Sequence, residues 1–560
     1  MKFSTELLYR DGDRKVLVSS DEIGEGIIIT SLYASQDGEL FAYFFTKGSD
    51  EGVLRIAETE SGEKVDEIKG VVGSIVFLDD GSYYYIRQYR KDRTPDGIKP
   101  PAERVFHRAD GGEEMVFGKG IPTQYHMWLE ASSDASKALL TLMRGWSSSK
   151  VYGGDLKEPA QWKHIYGTGE FLVNHIDYSS GFYFIASYEG AGRGRVLSVR
   201  EDGSIKLLVR ESSCVLKDAM LVEKELLLHY LVDCSSELVS FNLTSRKRHK
   251  LPIEHPGSIT TVSSGLREAV LVFESFNVPF KLYRYSKGKL KLLLSEELSN
   301  GFIVEECWVT SRDGTKVHAF VFRKDGVSAD KILLYGYGGF GISLTPTFSP
   351  GTVVFVEDGG TYVVANLRGG GEYGEEWHRA GMGRNKQNVF EDFIACAEYF
   401  KSKGAKVVAH GVSNGGLLVG AVLTQNPELL DGAVIGYPVL DMLRFPKLHI
   451  GKLWVSEYGN PDDPEEREYL LRYSPYHNIR VVEYPPVLVY TGLQDDRVHP
   501  AHALKFVAKL EEVGAKVLLR VEQASGHMGA APRLKAKEAS DILAFIYKVL
   551  GLKPRLGIHE

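Results

Sequence analysis

The chain has 560 residues, too many for one small domain, and its 43% hydrophobic and 25% charged residues are ordinary globular values that exclude a disordered, collagenous or coiled-coil protein. Lys and Arg number 67 against 74 Asp and Glu, a net charge of −7 without any dense basic block, so the footprint of a nucleic-acid binder is missing. No apolar run approaches the ~18 residues of a membrane span, and the N-terminus MKFSTELLYRDGDR has no apolar signal-peptide core, so the expectation is a soluble cytoplasmic protein without a membrane partner.

The four cysteines, Cys214, Cys234, Cys307 and Cys396, lack metal-binding spacing and read as mostly buried thiols, with Cys214 and Cys234 as the conceivable pair. No His/Cys/Asp cluster has ligand spacing, and RGGGEYG lacks the Lys-Ser/Thr of a phosphate loop, so neither metal nor organic cofactor is expected.

Up to about residue 295 the chain alternates short segments rich in Val, Ile, Leu, Tyr and Phe with turn dipeptides. One set of turns falls near Asp37-Gly38, Asp80-Gly81, Ser133-Asp134, Ser180-Gly181, Glu223-Lys224 and Ser264-Gly265. A second set interleaves with it near Asp11-Gly12, Ser61-Gly62, Asp110-Gly111, Asp155, Asp202-Gly203, Ser245 and Lys287-Gly288. Both recur at intervals of about 40 to 50 residues, the length of a four-stranded propeller blade with two hairpins. Seven turns in one set against six in the other predict a seven-bladed β-propeller over residues 1–295 whose first blade is incomplete. An array of β-sandwiches is the weaker alternative, because sandwiches rarely keep so even a period.

Residues 296–560 follow a different grammar, strands alternating with longer helical patterns. The hairpin EECWVTSRDGTKVHAFVFRK leads into apolar strands KILLYGYGGF, VVFVEDGG and TYVVANL, then the helical EDFIACAEYFKSKG. Strand KVVAHG, a helix opening at Ser413, strands DGAVIGY and PPVLVYTG, helix AHALKFVAKLEEVG, strand KVLLRVE and helix KAKEASDILAFIYKVLG follow. Near-continuous apolar strands separated by amphipathic helices predict an α/β domain with a mainly parallel sheet covered on both faces.

Gly411-Val412-Ser413-Asn414-Gly415 lies between an apolar strand and a helix, the setting in which G-x-S-x-G forms a nucleophile elbow that lifts a serine hydroxyl above the sheet. The competing reading of Ser413 is a helix N-cap. A nucleophilic serine needs a base and an acid that orients it, and in an α/β-hydrolase they follow in the order acid, then His. Asp495, after strand PPVLVYTG, and His527, after strand KVLLRVE, supply that order on loops at the carboxyl ends of the last two strands. Asp496 competes with Asp495. His499 competes with His527, from the acid's own loop and in front of Pro500, while His378 reads as a packed or surface histidine.

Beyond these residues, the stretches YGYGGF, NLRGGGEYGEEWHRAG, NKQNVFEDF, GVSNGGLLVGAVLTQ, DMLRF, YSPYHN, GLQDDRVHPAHALKF and SGHMG, in order across residues 305–535, resemble the prolyl oligopeptidase family of serine peptidases. The resemblance implies a Ser413–His527–Asp495 triad, with the Asn414 backbone N–H and the Tyr337 hydroxyl as oxyanion donors. For Tyr337 a core aromatic at a strand end is the other reading. The resemblance also implies that Trp454 stacks on a substrate proline, with Phe340, Val439, Tyr458 and Val498 as further pocket walls. Arg497 would hold a substrate carbonyl, or else pair with Asp496 or a neighbouring glutamate.

The implied activity is cleavage of short proline-containing peptides after proline, with the propeller keeping folded proteins out. A related acylaminoacyl or dipeptidyl peptidase or esterase of the same fold is the alternative, and a propeller interaction module with an inactive hydrolase domain is the remote one. Family members generally carry an additional leading segment before the first blade, whereas this sequence starts near that blade's outer hairpin.

Overall fold

The computed structural model describes residues 6–11, 13–298 and 301–555. Its first half is a succession of antiparallel arrays in which neighbouring strands in sequence are neighbours in the sheet. A two-stranded ribbon, Glu6–Asp11 with Asp13–Ser19, comes first; the turn predicted at Asp11-Gly12 falls on Gly12, outside the described residues. Next is a seven-stranded run in which the long strand Lys64–Phe77 closes one four-stranded array and opens another. Four separate four-stranded arrays follow, the last ending at Glu296.

The burial pattern explains this arrangement. Second strands such as Leu40–Thr46 and Glu225–Val232 are buried almost throughout, because both of their faces meet packed side chains. The outermost strand Lys289–Glu296 is exposed almost throughout, so it tolerates lysines and glutamates. The predicted turn dipeptides join the strands as expected, and at Lys287-Gly288 both residues take positive φ, the backbone twist that a tight hairpin requires.

The second half is built on one eight-stranded sheet. Its strands are β1 (Phe302–Thr310), β2 (Lys316–Lys324), β3 (Lys331–Gly336), β4 (Thr361–Asn366), β5 (Lys406–Val412), β6 (Gly432–Gly436), β7 (Val487–Gly492) and β8 (Val517–Glu522). They lie in the order β1-β2-β4-β3-β5-β6-β7-β8, antiparallel from β1 through β2 to β4 and parallel thereafter. Helices α1 (Pro350–Glu357), α2 (Gln387–Ser402), α3 (Asn414–Gln425), α4 (Ala501–Glu512) and α5 (Pro532–Leu550) cover the sheet. Phe390, Leu417 and Phe506 of α2, α3 and α4 share one core with one face of the sheet, and Phe355 and Phe545 of α1 and α5 share another core with the opposite face.

One expectation is corrected. The segment VVFVEDGG, read as a strand, is largely helix α1: the Ser349 hydroxyl accepts the Thr352 N–H, and Pro350 occupies the first helical turn with its φ already set, so the start signals outweigh the β-branched run. All four cysteines are free thiols, Cys234 and Cys396 buried and Cys214 and Cys307 partly so, and Cys214 and Cys234 do not pair.

Candidate active site

Ser413 stands alone between β5 and α3 with φ 60° and ψ −117°, a conformation that a serine adopts only under constraint from its surroundings. The constraint is steric. A Cβ on Gly411 would lie 2.0 Å from the Gly415 carbonyl oxygen, and one on Gly415 would lie 2.6 Å from that of Gly336, so the turn closes only with glycine at both places. The Ser413 N–H donates to Gly436 at 2.9 Å, tying the turn to β6, and its side chain makes no capping bond to α3.

The side chains of Tyr337 and Tyr458, from other segments, converge on this turn. The Tyr337 phenol lies near Ser413, and burial pushes its pKa well up, so it stays protonated and able to donate. Asn414, fully buried, donates from Nδ2 to the Tyr337 carbonyl at 2.5 Å and accepts the Tyr458 hydroxyl at 3.0 Å. Its backbone N–H opens α3, where no intrahelical acceptor exists.

Asp495 follows β7, and its carboxylate is enclosed by donors. Oδ1 accepts the N–H of Arg497 at 3.0 Å and of Val498 at 2.8 Å, and Oδ2 lies 2.9 Å from His527 Nδ1. That bond leaves His527 Nε2 as the nitrogen able to take up a proton. Asp496 points elsewhere: it accepts the Ser49 hydroxyl at 2.7 Å and the N–H groups of Asp50 and Glu51 at 3.0 and 3.3 Å, all from the first half of the chain. His499 stacks on His449 with ring centroids 4.4 Å apart, and His378 is buried beside Glu457. Of the competing groups, Asp495 and His527 are therefore the two brought together. Among the described residues no hydrogen bond joins His527 to Ser413.

The predicted pocket residues share one apolar cluster, which includes Phe340, Val439, Trp454, Tyr458 and Val498. Phe340 sits edge-on to Tyr458 at 5.4 Å, and Trp454 stacks parallel to Phe445 at 6.4 Å. Arg497 lies beside them, but its ion pair is not with Asp496 or a glutamate. Its Nε donates to both Asp50 oxygens, at 2.6 and 2.8 Å, and Asp50 also takes a bond from Arg90 at 2.9 Å. The reason is geometric, since the Asp496 carboxylate is already occupied by the turn that carries Asp50.

Sequence reasoning missed the contributions of the first half to this site. Trp146 packs edge-on against Phe340 at 4.6 Å, and a Cβ on its neighbour Gly145 would lie 2.3 Å from Ser456 Oγ. Met528, next to His527, donates its N–H to the Gly48 carbonyl at 3.2 Å. The one local hint was a Gly-Trp pair at a strand end.

Family models match both halves: the prolyl oligopeptidase N-terminal beta-propeller domain over residues 7–296 and the prolyl oligopeptidase family over residues 346–553. The chain belongs to the prolyl oligopeptidase family. A prolyl endopeptidase of Elizabethkingia miricola is 30% identical over 94% of this chain and 79% of its own length. A prolyl oligopeptidase of Omphalotus olearius is 33% identical over 94% of this chain and 78% of its own. Among solved structures, a prolyl endopeptidase superposes with a TM-score of 0.91 at 31% identity, covering 99% of this chain and 87% of that one. Prolyl oligopeptidase B of Galerina marginata, solved with a 35-residue hydrolysis and macrocyclization substrate, gives 0.88 at 25% identity, over 97% of this chain and 83% of that one. As a member of this family the chain is a peptidase, a hydrolase built from a propeller and an α/β domain. Among its described residues no helix is long and apolar enough to cross a membrane.

Proposed function

We propose that this chain is a serine endopeptidase that hydrolyses short peptides on the carboxyl side of proline. The observation that carries the reading is Ser413, held in a strained turn against the Tyr337 phenol, at one end of a sheet whose last two loops join Asp495 to His527 at 2.9 Å. In this reading Ser413 Oγ attacks the carbonyl carbon of the scissile bond while His527 Nε2 takes its proton. The Asn414 N–H and Tyr337 hydroxyl receive the oxygen as it becomes negative, each donor worth about 3 kcal/mol. His527 then protonates the leaving amine, and water, activated by the same nitrogen, releases the acyl group. Asp495 keeps Nδ1 as a donor and balances the imidazolium, its oxygens already fixed by the Arg497 and Val498 amides.

Proline preference rests on the aromatic wall. Trp454, Phe340 and Tyr458 give flat apolar faces suited to a pyrrolidine ring, which has no N–H to satisfy. The Arg497 guanidinium, anchored through Nε to Asp50 and through Nη2 to Met528 Sδ, keeps Nη1 to meet a peptide carbonyl. We read residues 1–295 as a seven-bladed propeller, six four-stranded arrays completed by the two-stranded ribbon, and residues 296–560 as the hydrolase. The propeller's turns against the Asp495 and His527 loops enclose the site and select short, flexible substrates. Four unpaired cysteines fit a reducing compartment such as the cytoplasm.

The test is a mass-spectrometric cleavage map on a mixed peptide pool, run beside fluorophosphonate labelling. Cuts after internal prolines and a label on Ser413 are expected, and Ser413→Ala should remove more than about 10⁴-fold of the turnover while leaving peptide binding. Removal of residues only from peptide N-termini, or a label elsewhere, would overturn the reading.

A further inference from the structure

Beneath the segment that carries Tyr337 lies a buried set of charges that the reaction does not use. Glu457, His378 and Lys386 are each no more than 2% exposed, and they come from three separate segments: the short helices Val455–Tyr458 and Glu375–Arg379, and the residue preceding α2. The Glu457 carboxylate lies 2.9 Å from His378 Nε2 through one oxygen and 3.8 Å from Lys386 Nζ through the other. The latter oxygen also accepts the backbone N–H of Phe340 at 2.8 Å, and Lys386 donates to the Gly338 carbonyl at 2.8 Å. Burial favours neutral histidine, yet the carboxylates of Glu375 and Glu457 hold His378 at about 9; burial lowers Lys386 to about 8 against the pull of Glu457.

Charges buried this deeply are weak contributors to stability, since apolar residues of the same volume do as well. What an apolar residue could not do is accept the Phe340 amide. Phe340 has φ 60°, a left-handed conformation that a bulky side chain avoids, and it ends the turn that begins at Tyr337. We propose that Glu457, clamped between His378 and Lys386, is a positioning residue that holds the 337–341 turn so that the Tyr337 hydroxyl faces the reacting carbonyl. This deepens the proposed function and rests on it.

The test is a double-mutant cycle of Glu457→Gln and Tyr337→Phe, with kcat and KM measured on a proline-containing peptide and folding checked by circular dichroism. Gln keeps the shape but only one acceptor oxygen, so its N–H₂ must face either His378 or the Lys386 and Phe340 donors. We expect kcat to fall about 30-fold with KM within about 3-fold, and the same change in the Tyr337→Phe background to cost less than about 3-fold. Equal losses in both backgrounds, or an unchanged kcat, would overturn the proposal. Should Glu457→Gln not fold, Lys386→Met, which frees the Gly338 carbonyl, is read by the same criteria; failure of both to fold would make the cluster a stability element and refute positioning. If the wild type takes no fluorophosphonate on Ser413, the proposed function fails instead.

Discussion

The two rims of the propeller half differ in character. Turns that join the first strand of an array to the second, or the third to the fourth, lie on one rim; they carry the Asp-Gly and Ser-Gly pairs and are largely exposed. Connections between second and third strands form the other rim, and in all six four-stranded arrays this connection meets the α/β half. Ser49 bonds Asp496, Arg90 and Pro101 line a small cavity with Leu453, and Gly145 abuts Ser456. Gly192 accepts the Glu375 N–H at 2.9 Å, Cys234 lies 3.5 Å from the Tyr373 hydroxyl, and Phe276 stacks on Phe322 at 5.4 Å. The regular rim announces the architecture, and the irregular one meets the half that carries the candidate site. A repeated scaffold can vary its connections on one side without disturbing strand pairing, which is why binding chemistry collects there.

The sharpest way to break this contrast is at Asp50, which is 3% exposed and joins Arg90 to Arg497. Removing one partner of a buried ion pair costs about 3–5 kcal/mol, and the partial exposure of Arg497 discounts that. If about 2 kcal/mol reaches the transition state, Asp50→Ala lowers kcat/KM on a proline-containing peptide ~30-fold. A small activated ester, which needs no carbonyl clamp, should lose much less. Equal losses on both would mean that the Ser49–Glu51 turn acts on the Asp495 and His527 loops and not on substrate. Trp146 is the apolar counterpart on the same rim. An edge-to-face aromatic pair is worth about 0.5–1.5 kcal/mol, so Trp146→Ala should lower peptide kcat/KM by ~3- to 10-fold and blunt the preference for proline. An unchanged preference would leave Phe340 supported by Tyr458 alone.

What could be read from the residues follows the same division. The hairpin turns were legible because tight turns demand particular residues, and the Ser413 elbow because its glycines are sterically required. Asp495 and His527 were legible because strand order in a parallel sheet gathers the loops at one end. Helix α1 was misjudged from its β-branched run Thr352-Val353-Val354, although Ser349 and Pro350 carried the start signal. The partner of Arg497 could not be found locally, since Asp50 lies 447 residues away in sequence. His378, Lys386 and Glu457 form no motif; each looks like a surface charge until the fold closes over it.

His378 also offers the finest test of how the irregular rim and the buried charges cooperate, because its helix begins at Glu375, whose N–H the rim residue Gly192 accepts. Its folded pKa of about 9 lies above the usual ~6.5, so the folded chain binds more protons than the unfolded one between those values. The stability it contributes is therefore complete below about pH 6.5 and is lost as the pH rises toward 9. Lys386 has the opposite sign: at about 8, below the usual ~10.4, it favours the folded state progressively as the pH climbs above 8. The window for His378 alone is thus about pH 6.5 to 8. Across it the melting temperature of the wild type should fall by a few degrees more than that of His378→Gln, which keeps a neutral donor to Glu457 but has no proton to lose. Parallel curves for the two proteins would mean that His378 does not hold the extra proton, and that Lys386 alone balances the Glu457 carboxylate.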